Sequence, residues 1–330
     1  METRQLRVDP IHPEPSIIAE AVDVLRRGGL VAIPTETVYG LAAHALDPNA
    51  VDRIFKAKGR PNTNPVIVHV AEIDEAKWLT GSWPFWADNL AETFWPGPLT
   101  IVLPRTNRIP DVVAAGGPTV AIRIPSHPVA RALLLEGGMP LAAPSANRSQ
   151  NLSPTRAEHV FKDLNGRIDL ILDAGPTPGG IESTVIDLSL TPRILRPGPI
   201  SPDEIERALG EWVELLHLEV PSDGLMRSPG LMARHYAPRT PLVLSSDAVR
   251  DVNRMRSEGR YIGWLAFDDE TTSASNVTLM SRDPIVYASR LYDELHRMDE
   301  LGLDVIVVSM PPQGRDWLAI HDRLKRAATK

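Results

Sequence analysis

Leu30-Val31-Ala32-Ile33 lies between Gly28-Gly29 and Pro34. The run is apolar throughout and too short for a stable helix, so it reads as a buried strand that Pro34 brings to an end. The strand empties into Thr35-Glu36-Thr37-Val38-Tyr39-Gly40. Further on, Lys58 and Arg60 sit two residues apart in a segment broken by Gly59, Pro61 and Pro65, and a second apolar run, Val66-Ile67-Val68-His69-Val70, follows. Strand ends that release polar side chains opposite a rigid cationic loop suit an anionic small molecule. The plainer reading is a surface turn beside a solvated Lys/Arg pair.

A chain of 330 residues points to two domains, and 43% hydrophobic residues can fill both cores. The net charge of -7 leaves no global basic field for nucleic acid, so any polyanion contact must rest on a local patch. With no cysteine, disulfides, thiolate nucleophiles and Cys-ligated zinc are excluded. No charged stretch followed by an apolar run opens the chain, and no apolar run reaches the length of a membrane span. The expectation is a soluble, cytoplasmic protein with no membrane partner.

Ile17, Ile18, Ala21, Val22 and Leu25 recur at helical spacing, and Gly28-Gly29 stops that helix. A second helix is predicted from Asp47-Pro48 to Lys58-Gly59. Lys58 thus ends a helix, where a cation is already favourable by about 0.3–1 kcal/mol. Arg60, beyond the glycine stop, has no such explanation. Trp78 to Trp95 reads as helical, its aromatics mostly core, and Trp95-Pro96-Gly97-Pro98 turns the chain into a strand from Leu99 to Leu103. The next strand, Val120 to Ile124, carries Arg123, which is either surface-facing or a guanidinium that grips a carboxylate or phosphate. A helix from His127 to Leu135 precedes Pro140-Leu141-Ala142-Ala143-Pro144, a short strand that again ends at proline and releases Ser145 and Asn147. Ser153 to Glu158 offers helix-capping chemistry, and Gly179-Gly180 leads into a strand through Glu182-Ser183-Thr184. A strand from Arg193 ends at Arg196, and Ser201-Pro202-Asp203-Glu204 caps a further helix.

This irregular alternation reads as one α/β domain on a mixed sheet over residues 1–215. Residues 216–240 are rich in Pro, Gly, Ser and Arg and form a linker, which contains Arg234-His235-Tyr236. From 241 to 330 strands and helices alternate cleanly, as in a small open Rossmann-like sandwich. No G-x-G-x-x-G, P-loop, H-E-x-x-H or G-x-S-x-G motif occurs. What remains is a set of cations and small hydroxyls at strand ends: Thr35, Lys58, Arg60, Arg123, Ser145, Asn147, Ser183 and Arg196. Without a general-base cluster, such a set suits chemistry made by positioning and charge neutralisation, as in phosphoryl or nucleotidyl transfer.

Pro34 to Leu41, Lys58-x-Arg60, Asn64-Pro65, Trp95 to Thr100, Arg123, Pro144 to Asn147, Glu182-Ser183-Thr184 and Leu195 to Gly198 together resemble the YrdC/YciO family, in order. Ser228-Pro229-Gly230, then Arg234 to Pro238, with the C-terminal pattern, is similar to the family's longer form, the L-threonylcarbamoyladenylate synthases. The resemblance implies a twisted mixed sheet with a concave cationic site. It implies that L-threonine, bicarbonate and ATP give threonylcarbamoyl-AMP and pyrophosphate, for tRNA modification beside the anticodon. Residue by residue, it implies threonine near Thr35, His69, Arg123, Ala143 and Ser183, with Arg123 on the carboxylate. ATP would touch Lys58, Asn62, Thr119, Ser145, Asn147, Ser153, Arg196, His235 and Tyr236, the last two folding over the mouth as a lid. Lys58 and Arg60 would neutralise charge at the α-phosphoryl group. Mg2+ is expected to ride on the triphosphate rather than in a dedicated protein cage, with no prosthetic group. The product would pass to the tRNA threonylcarbamoyl-transfer machinery, with weak tRNA contact a further expectation. Three alternatives stay open: an RNA-binding module of the same fold, a carbamoyl-transfer domain of the hydrogenase-maturation type, and a YciO-like relative without synthase activity. The second expects zinc-binding cysteines, which this chain lacks.

Overall fold

The computed structural model describes residues 2–215, 236–267 and 276–328. Strand β1 (Arg4–Arg7) leads to helix α1 (Pro15–Arg26), which buries Ile18, Ala21, Val22 and Leu25. Gly28, at φ 74°, then turns the chain into β2 (Val31–Ile33). Next come β3 (Gly40–His44), α2 (Pro48–Lys58), β4 (Ile67–His69), α3 (Ile73–Leu79), α4 (Phe85–Phe94), β5 (Leu99–Pro104) and β6 (Thr119–Arg123). After α5 (Pro128–Gly137) follow β7 (Leu141–Ala142), α6 (Ala157–Leu164), β8 (Leu170–Asp173), β9 (Thr184–Asp187), β10 (Arg193–Arg196), α7 (Pro202–Leu209) and β11 (Glu214–Leu215). These strands form one mixed sheet in the order β1-β8-β2-β3-β7-β4-β6-β5-β9-β10-β11. Helices pack on it over two apolar clusters, one centred on Leu41, Ile54, Val68 and Leu103, the other on Leu25, Ile33 and Leu133.

The second sheet is parallel throughout. Its elements are β12 (Leu242–Ser245), α8 (Ala248–Ser257), β13 (Ile262–Phe267), β14 (Val277–Met280), α9 (Pro284–Asp299), β15 (Val305–Ser309) and α10 (Leu318–Ala328), with strand order β12-β15-β13-β14. This is the open Rossmann-like sandwich expected from the sequence.

Four expectations need correction. Where a short helical run is expected after Gly40, the residues form β3, antiparallel to β2, and its burial on both faces leaves no alternation to read. The span from Trp78 to Trp95 is two helices, interrupted at Gly81 and Pro84, and its aromatics are not all core: Trp78 and Phe85 are 48% and 74% exposed. Arg108 lies over the Trp78 ring instead, 4.7 Å from its centroid. The helix expected to be capped at Ser153 begins only at Ala157, since the Ser153 hydroxyl is spent on Glu182. Finally, the sheet-edge strands β1 and β14 have no counterpart among the expected elements: β1 is mostly polar, and β14 is only four residues long. By contrast, Ser201 and Glu204 close a capping box, and His127 caps α5 through its ring nitrogen.

The two domains meet through an apolar contact of Val38, Leu152 and Ile181 with the second core, through polar contacts, and at one close backbone approach. Arg156 makes a forked ion pair with Asp293 (2.5 and 3.0 Å), and the His159 and His296 rings stack with centroids 3.8 Å apart. Gly180, at φ 74°, lies against α9, where a Cβ would fall 2.5 Å from the Ser289 Cα. Gly180→Ala is therefore expected to force the domains apart locally and to cost about 1–3 kcal/mol, read as a lowered thermal midpoint. An unchanged midpoint would mean that the contact is not tight.

Candidate active site

The site forms where β2, β4, β6 and β7 release their C-terminal loops and meet the entry to β9 and the end of β10. After Pro34, the Thr35 hydroxyl ties its own turn: it donates to the Val38 carbonyl at 2.6 Å and accepts from the Thr37 and Val38 amides, both at 3.2 Å. The short side chains at the end of β7 let a second loop come close. Leu41 N–H donates to the Pro144 carbonyl (2.7 Å) and Ala146 N–H to the Tyr39 carbonyl (2.8 Å). A Cβ on Gly40 would sit 3.4 Å from that of Ala143.

Lys58 ends α2 with its ammonium fully enclosed. It donates to the carbonyls of Ser145 and Asn147 and reaches the Asn147 side-chain oxygen at 3.5 Å. Burial pushes its pKa well down, and the Arg60 charge adds to this. Three acceptors around one ammonium offset that cost. Asn147 continues the scaffold, donating to the carbonyls of Arg148 and Asn151 at 2.9 and 2.8 Å and accepting from the Ser145 hydroxyl at 2.5 Å. Arg60 folds back on its own loop, with donors to the Pro65 carbonyl (2.8 Å) and the Asn64 carbonyl (3.4 Å). Burial lowers its pKa to about 10, which leaves it charged at neutral pH.

Arg123 and His69 are paired across β4 and β6 and face the same side of the sheet. Arg123 Nε donates to the Gly97 carbonyl (3.1 Å), Nη1 donates to the Thr37 hydroxyl (3.0 Å), and Nη2 meets the Glu36 carboxylate at 2.7 Å. That last contact is an ion pair whose geometry is not that of a hydrogen bond. His69 is buried, and its Nδ1 has no hydrogen-bond partner. Neither the amide nitrogen nor the oxygen of the Asn64 side chain has one either.

Across the cleft, Arg196 Nε donates to the Ser183 carbonyl and its Nη2 to the Ser183 hydroxyl, both at 3.1 Å, while that hydroxyl lies 2.8 Å from Thr100 Oγ1. Glu182 accepts from the Ser153 hydroxyl, from Arg323 Nε (2.8 Å) and from the Tyr292 hydroxyl (3.2 Å). Burial alone would raise its carboxyl pKa, but Arg323 and Arg196 bring it below the usual value.

The described residues lining the resulting cavity include Thr35, Arg60, His69, Arg123, Ala143, Ser145, Ser183, Arg196 and Tyr236, nine of the positions singled out in the sequence. Lys58, Asn147 and Ser153 stand behind the wall and support it. Asn62 is exposed on the α2–β4 loop. Thr119 is half-buried at the far end of β6, four residues from Arg123 and so about 13 Å along the same face. His235, and with it most of the proposed lid, falls outside the described residues. Glu182, Thr37, Glu36 and Asn64 were missed as site residues. Their motifs are visible in the sequence, but nothing there says that Glu182 will line the cavity or that the Asn64 side chain will be buried without partners.

Three guanidinium groups thus face one carboxylate among the described lining residues. Such a lining suits anions, and one imidazole nitrogen of His69 is left without a partner in the wall. Burial, with the Arg123 charge adding, pushes the His69 pKa down from 6.5 to about 3. A folded pKa below the unfolded one means that neutral His69 supports stability above about pH 6.5, and that this support is lost as pH falls toward 3. His69→Asn is expected to flatten the acid side of unfolding free energy against pH. An unchanged slope would show that His69 takes up its proton without penalty.

Comparison with known proteins draws these features together. A family profile for the Sua5/YciO/YrdC proteins, described as telomere recombination, matches residues 23–198. A second, described as the C-terminal domain of threonylcarbamoyl-AMP synthase, matches residues 200–329. The threonylcarbamoyl-AMP synthase of Pyrococcus abyssi is 41% identical over 319 residues, covering 93% of each chain. That of Bacillus subtilis is 43% identical over 324 residues, covering 94% of this chain and 92% of its own. The crystal structure of P. abyssi Sua5 complexed with L-threonine matches with a TM-score of 0.92 at 40% identity, covering 99% of this chain and 98% of that one. With a profile over more than half its length and relatives matched nearly end to end, the chain belongs to the Sua5/YciO/YrdC family, in the form that carries the second, C-terminal domain.

Proposed function

We propose that this chain joins L-threonine, bicarbonate and ATP into threonylcarbamoyl-AMP, releasing pyrophosphate. The reading is carried by a cavity lined by Arg60, Arg123 and Arg196 in a chain whose near-full-length relatives bear the name of that synthase. The threonine ammonium gives up a proton, its amine takes up CO2 from bicarbonate with loss of water, and a carbamate results. A carbamate oxygen attacks the α-phosphorus, the bond to pyrophosphate breaks, and a mixed anhydride remains. This is nucleotidyl transfer, in which the protein's task is to align two anions and stabilise charge on the phosphoryl oxygens.

In this reading the threonine carboxylate takes the Arg123 guanidinium from the Glu36 side, where one ion pair already shows a carboxylate to be accepted. His69, neutral, and Ser183 serve its polar groups, with Ala143 lending close backbone. Arg60 and Arg196 face the phosphates, and Ser145 and Tyr236 bound the nucleotide. Lys58 fixes the 145–147 loop and exchanges a carbonyl for a phosphoryl oxygen in the transition state. Asn62 and Thr119 lie outward, where the nucleotide would extend, and the 216–240 linker would close over it. The one carboxylate among the described lining residues, Glu182, is already held by Arg323, Ser153 and Tyr292, so the cavity does not offer a protein cage for a metal ion. Mg2+ would come on the triphosphate. The product would be consumed by a tRNA threonylcarbamoyl-transfer step, and any tRNA contact would be weak. No described helix is long and apolar enough to cross a membrane.

Pyrophosphate release by the purified protein should require both L-threonine and bicarbonate and disappear in Lys58→Ala. Arg123→Ala should raise the L-threonine KM by about 10–100-fold, as expected for loss of a charged hydrogen bond. Release indifferent to threonine would refute the reaction, and RNA binding without turnover would favour the binding-module reading.

A further inference from the structure

We propose that Arg323, on α10 of the C-terminal domain, is a positioning residue for the substrate pocket of the N-terminal domain. The proposal deepens the synthase reading and rests on it for the identity of the ligands. Its geometry stands apart from that reading.

Arg323 is fully enclosed, with its side chain 0% exposed. Its Nε donates to the Glu182 carboxylate at 2.8 Å, its Nη2 to the Glu182 carbonyl at 3.4 Å, and its Nη1 to the Pro197 carbonyl at 3.0 Å. Glu182 immediately precedes Ser183, and Pro197 immediately follows Arg196. Ser183 and Arg196 are themselves bound to each other at two points and both line the cavity. One guanidinium from another domain therefore brackets a binding pair from both sides. The Tyr236 ring, also in the cavity wall, lies 5.2 Å from the same guanidinium. Asp322 accepts from Arg323 Nη1 at 2.7 Å and from Arg326 Nε at 2.9 Å, so the arginine is anchored from behind.

The arrangement needs a planar fork. A lysine can satisfy the Glu182 carboxylate, but its compact ammonium does not span the carboxylate and two main-chain carbonyls at once. Gly198 shows how little play the wall has: a Cβ there would fall 2.6 Å from the Ser183 carbonyl carbon. Misplacing a binding group by about 1 Å can lower turnover about a hundredfold. Arg323 thus gives the C-terminal domain a direct part in the shape of the pocket.

The test compares Arg323→Lys and Arg323→Met with Arg156→Met, which breaks the interdomain pair to Asp293, neither residue of which lines the cavity. In the ligand-free protein, both Arg323 variants are expected to speed amide hydrogen exchange over residues 182–184 and 196–198, and Arg156→Met is not. In turnover, the KM values for L-threonine and ATP should rise about ten-fold or more in Arg323→Lys, with those of Arg156→Met unchanged. Unaltered exchange at those amides in Arg323→Met would overturn the proposal. So would equal KM changes in Arg323→Lys and Arg156→Met, which would mark a general effect of loosened domains. Absence of threonine-dependent turnover in the unaltered protein would defeat the synthase reading alone, and exchange would still decide the role of Arg323.

Discussion

Positive charge removed from water must be met by oxygen, and this structure is arranged around that requirement. Lys58, Arg60, Arg123 and Arg196 are each buried at the edge of one cleft. An unpaired buried cation costs several kcal/mol, more than one interaction elsewhere repays. The chain meets the cost largely with its own carbonyls: those of Ser145 and Asn147 for Lys58, Asn64 and Pro65 for Arg60, Gly97 for Arg123, and Ser183 for Arg196. Carbonyls carry no net charge, so the cleft stays cationic after the bonds are made. The same bonds fix the loops that bear them. Charge for binding anions and rigidity for aligning them therefore have one source.

That source explains the sequence pattern. Prolines at 34, 65, 98, 144 and 197 lie where strands give way to these loops or where the loops enter strands. A proline donates nothing to a ladder and frees the neighbouring chain to turn, so its carbonyl or its neighbour's can face a cation. Strand ends, helix stops and the cluster of hydroxyls and cations were legible because they depend on local chemistry. The capping box at Ser201 and the glycine stop at Gly59 are local in the same sense. Ser153 was misread because its partner, Glu182, is twenty-nine residues away. Strand β3 was hidden because a strand buried on both faces shows no alternation. The site residues were legible mainly through a motif resemblance. Spacing alone named the cations, but not which would line the cavity and which would stand behind it.

Lys58 shows the difference. Its position at a helix end is explained by the helix dipole, and the proposed reaction would give it charge to neutralise, yet its bonds are to the loop that carries Ser145 and Asn147. A lysine held this way acts first by fixing where two polar side chains sit. It can also stabilise a transition state if developing charge competes with a carbonyl for its proton donors. Carbonyls bind an ammonium less strongly than a phosphoryl anion does, so the exchange is favoured only as charge builds up. An interaction that strengthens between ground state and transition state is what raises turnover.

The same logic extends to the second domain. Its sheet has an apolar core built on Leu291, Leu295, Ile306 and Val308, and Val38, Leu152 and Ile181 of the first domain pack into the same cluster. Beside that apolar contact, ion pairs cross the boundary: Arg156 to Asp293, Arg315 to Glu206, and Arg323 to Glu182. The first two are partly exposed and each contributes at most about 1 kcal/mol. The third is enclosed, and removing one partner would leave a buried charge, at about 3–5 kcal/mol. Domain docking is thus tightest where the contact also bounds the cavity. A pocket wall assembled from two domains holds its shape only while they are together.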